Sequence, residues 1–189
     1  MLESLLSENR GAVLKRWFRL ILETYPPDAA RLLQRNEDRF ANPVAYTISE
    51  GTEAIYDGLV QGVEPDRLSE PLDDIIKIRA VQDFPPSQAV GFVFLLKRAI
   101  REELADDVRE HQLYRQMLEF ESRVDAAVQV AFDMYMRRRQ KIYEIRVNEI
   151  RGRSARLLER LSLTYEGQEE ESLSTSQPEM SHETGNVTR

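Results

Sequence analysis

The sequence contains no cysteine, and it has only two histidines and one tryptophan among 189 residues. Without cysteine there are no disulfides, no thiolate nucleophiles and no thiolate ligands for zinc or iron–sulfur sites. Two histidines, His111 and His182, are too few for a multi-histidine metal centre and make a Ser-His-Asp triad improbable. We therefore expect no catalytic residues, no metal and no cofactor.

Long apolar runs are also missing. The most apolar stretch, residues 89–96, is far shorter than a bilayer-spanning helix, which needs about 20 residues. The N-terminus has no basic segment followed by an apolar run and a cleavage site. The sequence predicts no transmembrane segment, no signal peptide and a cytoplasmic location.

The charged residues are abundant and mostly acidic, with 33 Asp and Glu against 26 Lys and Arg and a net charge of −7. This balance makes nucleic-acid binding by the whole chain improbable. The basic residues are concentrated between Arg137 and Arg160, where the local charge is positive. That segment could bind DNA, a membrane surface or an acidic protein, although the solvated face of a coiled coil is the simpler interpretation.

Apolar residues recur at three- and four-residue spacings along most of the chain, which is typical of amphipathic helices. Asn42 and Pro43 are suited to begin one helix, Gly62 is suited to end it, and Phe84-Pro85-Pro86 interrupts the chain again. Two glycines within predicted helices, Gly51 and Gly91, suggest close helix crossing. No strand pattern is visible, so the predicted fold class is all-α, a helical bundle.

The segment from His111 to about Leu161 contains no proline and predicts a long C-terminal helix. Two heptad-like series follow each other out of phase, so we expect the first half to pack on the domain and the second to form a coiled-coil stalk or a partner-binding helix. The predicted stripe on the second half comprises Tyr143, Val147, Ile150, Leu157 and Leu161. The expected organisation is a domain at 1–110, a long helix at 111–163 and a disordered tail at 164–189.

Several motifs together resemble a known family. They are Trp17, Tyr25-Pro26-Pro27, Arg39-Phe40-Ala41-Asn42-Pro43-Val44 and Arg79-Ala80-Val81-Gln82-Asp83-Phe84-Pro85-Pro86. Over roughly residues 2–104 the chain resembles the N-terminal domain of the RsbT co-antagonist proteins, the RsbRD-type sensor domain of bacterial stress signalling. The resemblance implies a helical input domain, globin-like without haem, that normally precedes an output domain such as a STAS domain or a histidine kinase. No such domain is recognised after the long helix.

The resemblance makes Arg79, Gln82, Asp83, Asn42 and Trp17 the candidate signal or pocket residues. The first three could line a pocket or, as we favour, cap and cross-link helix ends. Trp17, together with Phe40, Phe84 and Phe92, is expected in the core.

The sequence therefore predicts a non-enzymatic signal-input or regulatory scaffold protein that binds a protein partner, or a second copy, through its C-terminal helix. One alternative is a small-molecule or cofactor binder, or an enzyme, with a pocket near Arg79 and Asp83. The other is a DNA or membrane binder acting through the segment from Arg137 to Arg160.

Overall fold

A computed structural model describes the backbone of residues 1–34, 40–82 and 84–174, with side chains up to residue 159. Within these residues the chain forms helices and no strand, which confirms the all-α fold with a long C-terminal helix. The elements are α1 (Leu2–Glu8), α2 (Arg10–Leu22), α3 (Pro27–Gln34), α4 (Pro43–Val60), a 3-10 helix (Pro65–Leu68), α5 (Ser69–Val81), α6 (Pro86–Gly91), α7 (Leu95–Glu110) and α8 (Tyr114–Ser174).

The predicted ends of α4 are confirmed. The Asn42 side chain accepts a hydrogen bond from the Ala45 amide at 3.2 Å, which satisfies one free donor of the first turn. Pro43 is the first helical residue, where a missing N–H costs nothing. Gly62 follows the helix with a φ of 70°, the left-handed conformation that glycine adopts without strain.

Two breaks were not expected from the apolar pattern. Asn9 separates α1 from α2 and donates its side-chain amide to the Leu5 carbonyl at 3.0 Å, competing with the helical pattern. Residues 92–94 form a turn between α6 and α7, although Phe92 and Val93 are completely buried. The expectation that Phe40 lies in the core is wrong, because its side chain is 93% exposed.

The chain divides into two compact units, Met1–Lys141 and Ile142–Arg189. In the first unit α2 packs on α4 and α7, and α4 packs on α5. The first half of α8 contributes a buried face to this unit, comprising Leu113 just before the helix and then Met117, Phe120, Val124, Ala127, Ala131 and Tyr135. The first unit therefore includes the first half of the long helix, up to Lys141.

The second unit contains the remainder of α8, whose helical backbone runs to Ser174 and so includes the first residues of the expected tail. Residues 175–189 lie outside the described part of the chain, and for them the tail stays a prediction. Among the described residues, no helix is both long and apolar enough to cross a membrane.

Gly51 allows α4 and α5 to approach closely. A Cβ atom at this position would lie 2.9 Å from Ile75 Cδ1 and 3.2 Å from the Pro71 carbonyl oxygen. The close crossing expected at Gly51 is therefore present. At Gly91 it is absent, because a Cβ there would have no neighbour within 4 Å.

We expect Gly51→Val to lower the free energy of unfolding by about 1–3 kcal/mol, because the added atoms overpack the α4–α5 contact. Urea unfolding followed by circular dichroism measures the change. The matched control is Gly11→Ala, where the added Cβ would meet no packed neighbour within 4 Å beyond the adjacent residues and the nearby backbone of its own helix. That control should be neutral or stabilising by up to about 1 kcal/mol, and equal losses in the two variants would contradict the packing argument.

Candidate functional site

Arg79 is the largest buried polar side chain in the described part of the chain, with 0% of its surface exposed. It lies near the end of α5, on the face that also buries Leu72, Ile75 and Ile76. The helical spacing of these positions directs the guanidinium into the core rather than into solvent. A buried arginine is unusual enough to make its surroundings the first candidate site.

The guanidinium is held by two hydrogen bonds and three aromatic rings. Its Nη1 donates to the Gln88 carbonyl oxygen at 2.8 Å, and its Nη2 donates to Thr24 Oγ1 at 3.1 Å. Its Cζ atom lies 5.2 Å from the ring centre of Tyr25, 4.9 Å from that of Phe84 and 5.3 Å from that of Phe92. We call Arg79, Thr24 and these three rings the Arg79 cage.

Burial away from solvent is the main cause of the pKa shifts in the cage. Burial lowers the pKa of Arg79 and raises the pKa of Tyr25, while the nearby guanidinium partly opposes the Tyr25 shift. Among the described residues, Arg79 Nε and the Tyr25 hydroxyl have no hydrogen-bond partner, and no carboxylate forms an ion pair with Arg79. Asp83, which the sequence grouped with Arg79, lies outside the described residues.

Three side chains from three helices donate hydrogen bonds to carbonyls of residues 84–92. Tyr135 of α8 donates its hydroxyl to the Phe84 carbonyl at 2.5 Å, and Trp17 Nε1 of α2 donates to the Phe92 carbonyl at 2.7 Å. Arg79 of α5 binds the Gln88 carbonyl between them. We call this arrangement the 84–92 clamp, and it supplies donors to a segment interrupted by two prolines and a turn.

The structure brings together only part of the predicted site. Trp17 and Arg79 converge on the 84–92 clamp, whereas Asn42 caps α4 and also donates to the Leu32 carbonyl at 3.0 Å. Gln82 is exposed at the end of α5. Sequence reasoning missed Tyr135 and the residues Thr24 and Tyr25, which are close to Arg79 only in the fold.

The described residues offer no metal site, since no group of three or more His, Asp or Glu side chains among them could hold an ion. His111 is exposed at the end of α7.

A cavity of about 500 Å³ opens between α7 and the start of α8. Its lining is mainly apolar, and the ion pair between Arg101 and Glu121 lies at its edge with two bonds of 2.8 and 2.7 Å. This volume is in the range of small-molecule sites. Arg79 is not among the residues that line it, so a ligand here would not reach the Arg79 cage.

The second half of α8 carries large apolar side chains that are exposed. Ile150 is 63% exposed and Leu157 is 60% exposed, and Tyr143 and Val147 are exposed as well. The side chain of Leu161, the last member of the predicted stripe, lies outside the described residues. We call the four described residues Tyr143, Val147, Ile150 and Leu157 the α8 stripe.

The basic residues between Arg137 and Arg160 have different surroundings. Arg138 forms an ion pair with Asp73 of α5, and this hydrogen-bonded contact raises the pKa of Arg138. Arg146, Arg151 and Arg153 are exposed and form no ion pair with a described residue. The charge available to a partner therefore lies beside the α8 stripe.

The fold and these sites define an all-α domain with a buried polar clamp and a long C-terminal helix. The family described as the RsbT co-antagonist protein rsbRD N-terminal domain matches residues 11–150, and the chain belongs to this family. It is a family of stress-signalling regulatory domains that is not known as an enzyme family. The match confirms the resemblance and extends it from residue 104 into α8. No curated protein and no solved structure matches the chain.

Proposed function

We propose that the chain is a non-enzymatic signal-input protein that acts on a protein partner through the second half of α8. The observation that supports this most directly is the α8 stripe, a row of apolar side chains exposed on one helix. Family membership supplies the regulatory role, and the stripe supplies the surface through which that role is carried out.

The stripe favours a helical protein partner because of its spacing. Tyr143, Val147 and Ile150 follow each other at four- and three-residue steps, which is the repeat of a two-helix coiled coil. Isolated helices are marginally stable in water, and most of their stability comes from packing an apolar face. A second helix would supply that packing.

The input side of the proposal depends on the 84–92 clamp. Tyr135 of α8 is fully buried and hydrogen-bonded to the Phe84 carbonyl. A signal that displaced residues 84–92 would break or strain this bond and so alter the packing of α8. Because packed interfaces switch between discrete arrangements, such a change can shift the register or rotation of a helix.

The proposal predicts that charge in the α8 stripe abolishes partner binding. Ile150→Asp combined with Leu157→Asp should remove the partner, because association would bury two carboxylates in an apolar seam. The matched control is Asn148→Asp with Ala155→Asp, which adds the same charge at the same spacing to exposed positions off the stripe. Affinity purification from the native cell, quantified by mass spectrometry, and light scattering for self-association measure the effect.

The expected result is a protein, or a second copy, that associates with the wild type and the control but not with the stripe variant. Circular dichroism should show that the melting of the Met1–Lys141 unit is unchanged in all three proteins. Association that survives in the stripe variant would show that the partner binds elsewhere.

A further inference from the structure

We infer that the partner of the α8 stripe is an amphipathic helix with acidic residues beside its own apolar seam. This inference rests on the proposed function and adds the chemistry of the partner. It depends on which residues flank the stripe when α8 is divided into heptads.

The stripe defines the heptad register. Tyr143, Ile150 and Leu157 are seven residues apart and occupy the d position, while Val147 and Ser154 occupy the a position. The flanking e and g positions lie next to this seam and contact the corresponding positions of a partner helix. Those positions determine which partner is accepted.

The flanking positions are predominantly basic. Arg146 and Arg153 occupy successive g positions, and Arg151 occupies the e position between them. All three are exposed and form no ion pair with a described residue. The other two e positions hold Glu144 and Leu158, so one side of the seam is uniformly cationic and the other is mixed.

A second copy of α8 matches these flanks poorly. In a parallel pair, the g residue Arg146 of each chain would face the e residue Arg151 of the other, and this clash would occur twice by symmetry. In an antiparallel pair, g positions face g positions, which sets Arg146 and Arg153 against arginines. Glutamate or aspartate on the partner would convert each repulsive contact into an attractive one.

Nucleic acid and membrane surfaces would each complement only part of this surface, which combines flanking arginines with an apolar seam. A phosphate backbone would pair with the arginines but would leave Val147, Ile150 and Leu157 exposed to water. A membrane-surface helix requires a broad apolar face, whereas this seam is narrow and is interrupted by Ser154. An acidic helix pairs with the arginines and covers the apolar side chains together.

The test uses the full chain and two synthetic peptides of about three heptads with leucine at every a and d position. One peptide has glutamate at all e and g positions, and the other has lysine there. Isothermal titration calorimetry should show at least about tenfold tighter binding of the glutamate peptide. A scrambled peptide with the same composition as the glutamate peptide should not bind.

Charge reversal on the protein provides the matched comparison. Arg146→Glu with Arg153→Glu should reverse the preference toward the lysine peptide. Arg156→Glu changes an exposed arginine away from the seam and should leave the preference unchanged. Ile150→Asp should abolish binding of both peptides.

Four results would overturn the inference, and they separate it from the proposed function. If both peptides bound equally and Ile150→Asp abolished that binding, the stripe would still dock a helical partner. The partner's flanking charges would then not determine binding. A dimer in light scattering that binds neither peptide would show that a second copy covers the stripe. Tighter binding of duplex DNA or anionic vesicles, retained in Ile150→Asp, would assign the arginines to a different partner. A monomer that binds neither peptide would contradict both proposals.

Discussion

Replacing Arg79 with alanine is expected to lower the free energy of unfolding by about 3 kcal/mol, a large fraction of the stability of a typical domain. At roughly 2–4 °C per kcal/mol for a chain of this size, the melting temperature should fall by about 6–12 °C. Thermal unfolding followed by circular dichroism measures the shift.

The expected loss follows from what Arg79 contacts. Alanine removes the donors to the Gln88 carbonyl and to Thr24 Oγ1, two part-buried hydrogen bonds, and a hydrogen bond with a charged partner contributes about 1.5–3 kcal/mol. It also removes contacts with three aromatic rings and leaves a cavity inside a packed core. Relief from burying a cation offsets part of this loss, which is why the expected net effect is not larger.

Two conservative variants separate the contributions of charge and shape. Arg79→Lys keeps the buried charge but lacks the planar fork that reaches Gln88 and Thr24 together, so it should lose nearly as much stability as alanine. Arg79→Met keeps much of the volume without a buried charge and should lose less. Gln82→Ala, an exposed change at the end of the same helix, is the control and should stay within about 0.5 kcal/mol of wild type.

A melting temperature unchanged in Arg79→Ala would contradict the structural role of the cage. It would instead favour the alternative that Arg79 is kept for a ligand, because a buried cation that adds no stability needs another reason to be there. If the lysine variant were as stable as wild type, the two hydrogen bonds would not be the source of the effect.

Much of the fold could be predicted because local chemistry determines where its helices end. Asn42, Pro43 and Gly62 act through their own backbone or the next turn, and the structure confirms each one. The all-α class follows from apolar spacing alone. The break at Asn9 was missed because asparagine in a helical pattern competes with the backbone only in some contexts.

Along the first half of α8, the heptad spacing of apolar residues does not predict every buried side chain. A strict heptad series continues from Ala131 to Met134, but the structure buries Tyr135 and leaves Met134 partly exposed. A straight helix has 3.6 residues per turn rather than 3.5, so its buried face drifts away from a heptad seam. As a result, the sequence did not identify the α8 member of the 84–92 clamp.

The Arg79 cage was only partly predictable for a different reason. Arg79 lies at helical spacing from Leu72, Ile75 and Ile76, and this pattern in the sequence indicates that Arg79 is buried. Its acceptors cannot be identified in the same way, because Thr24 is 55 residues away in the chain and the Gln88 carbonyl carries no sequence signal. Long-range contacts of backbone groups become visible only in the fold.

Trp17→Ala is expected to have the largest effect on stability, a loss of about 5 kcal/mol. Trp17 is fully buried and is the largest of the completely buried side chains. Its removal leaves a cavity in the core and leaves the Phe92 carbonyl without its indole donor. Because this is the only tryptophan, urea unfolding has to be followed by circular dichroism rather than by its fluorescence.

Milder changes test the clamp if the alanine variant does not fold. Trp17→Phe keeps an aromatic ring but removes the N–H, and Tyr135→Phe removes only the hydroxyl that binds the Phe84 carbonyl. Each should cost about 1–3 kcal/mol. If residues 84–92 behave as one unit, the double variant should differ from the sum of the single variants by more than about 0.5 kcal/mol. Additive losses would show that Trp17 and Tyr135 hold the two ends of the segment independently. In that case, a change within residues 84–92 would not be transmitted as a unit to α8, contrary to the proposal.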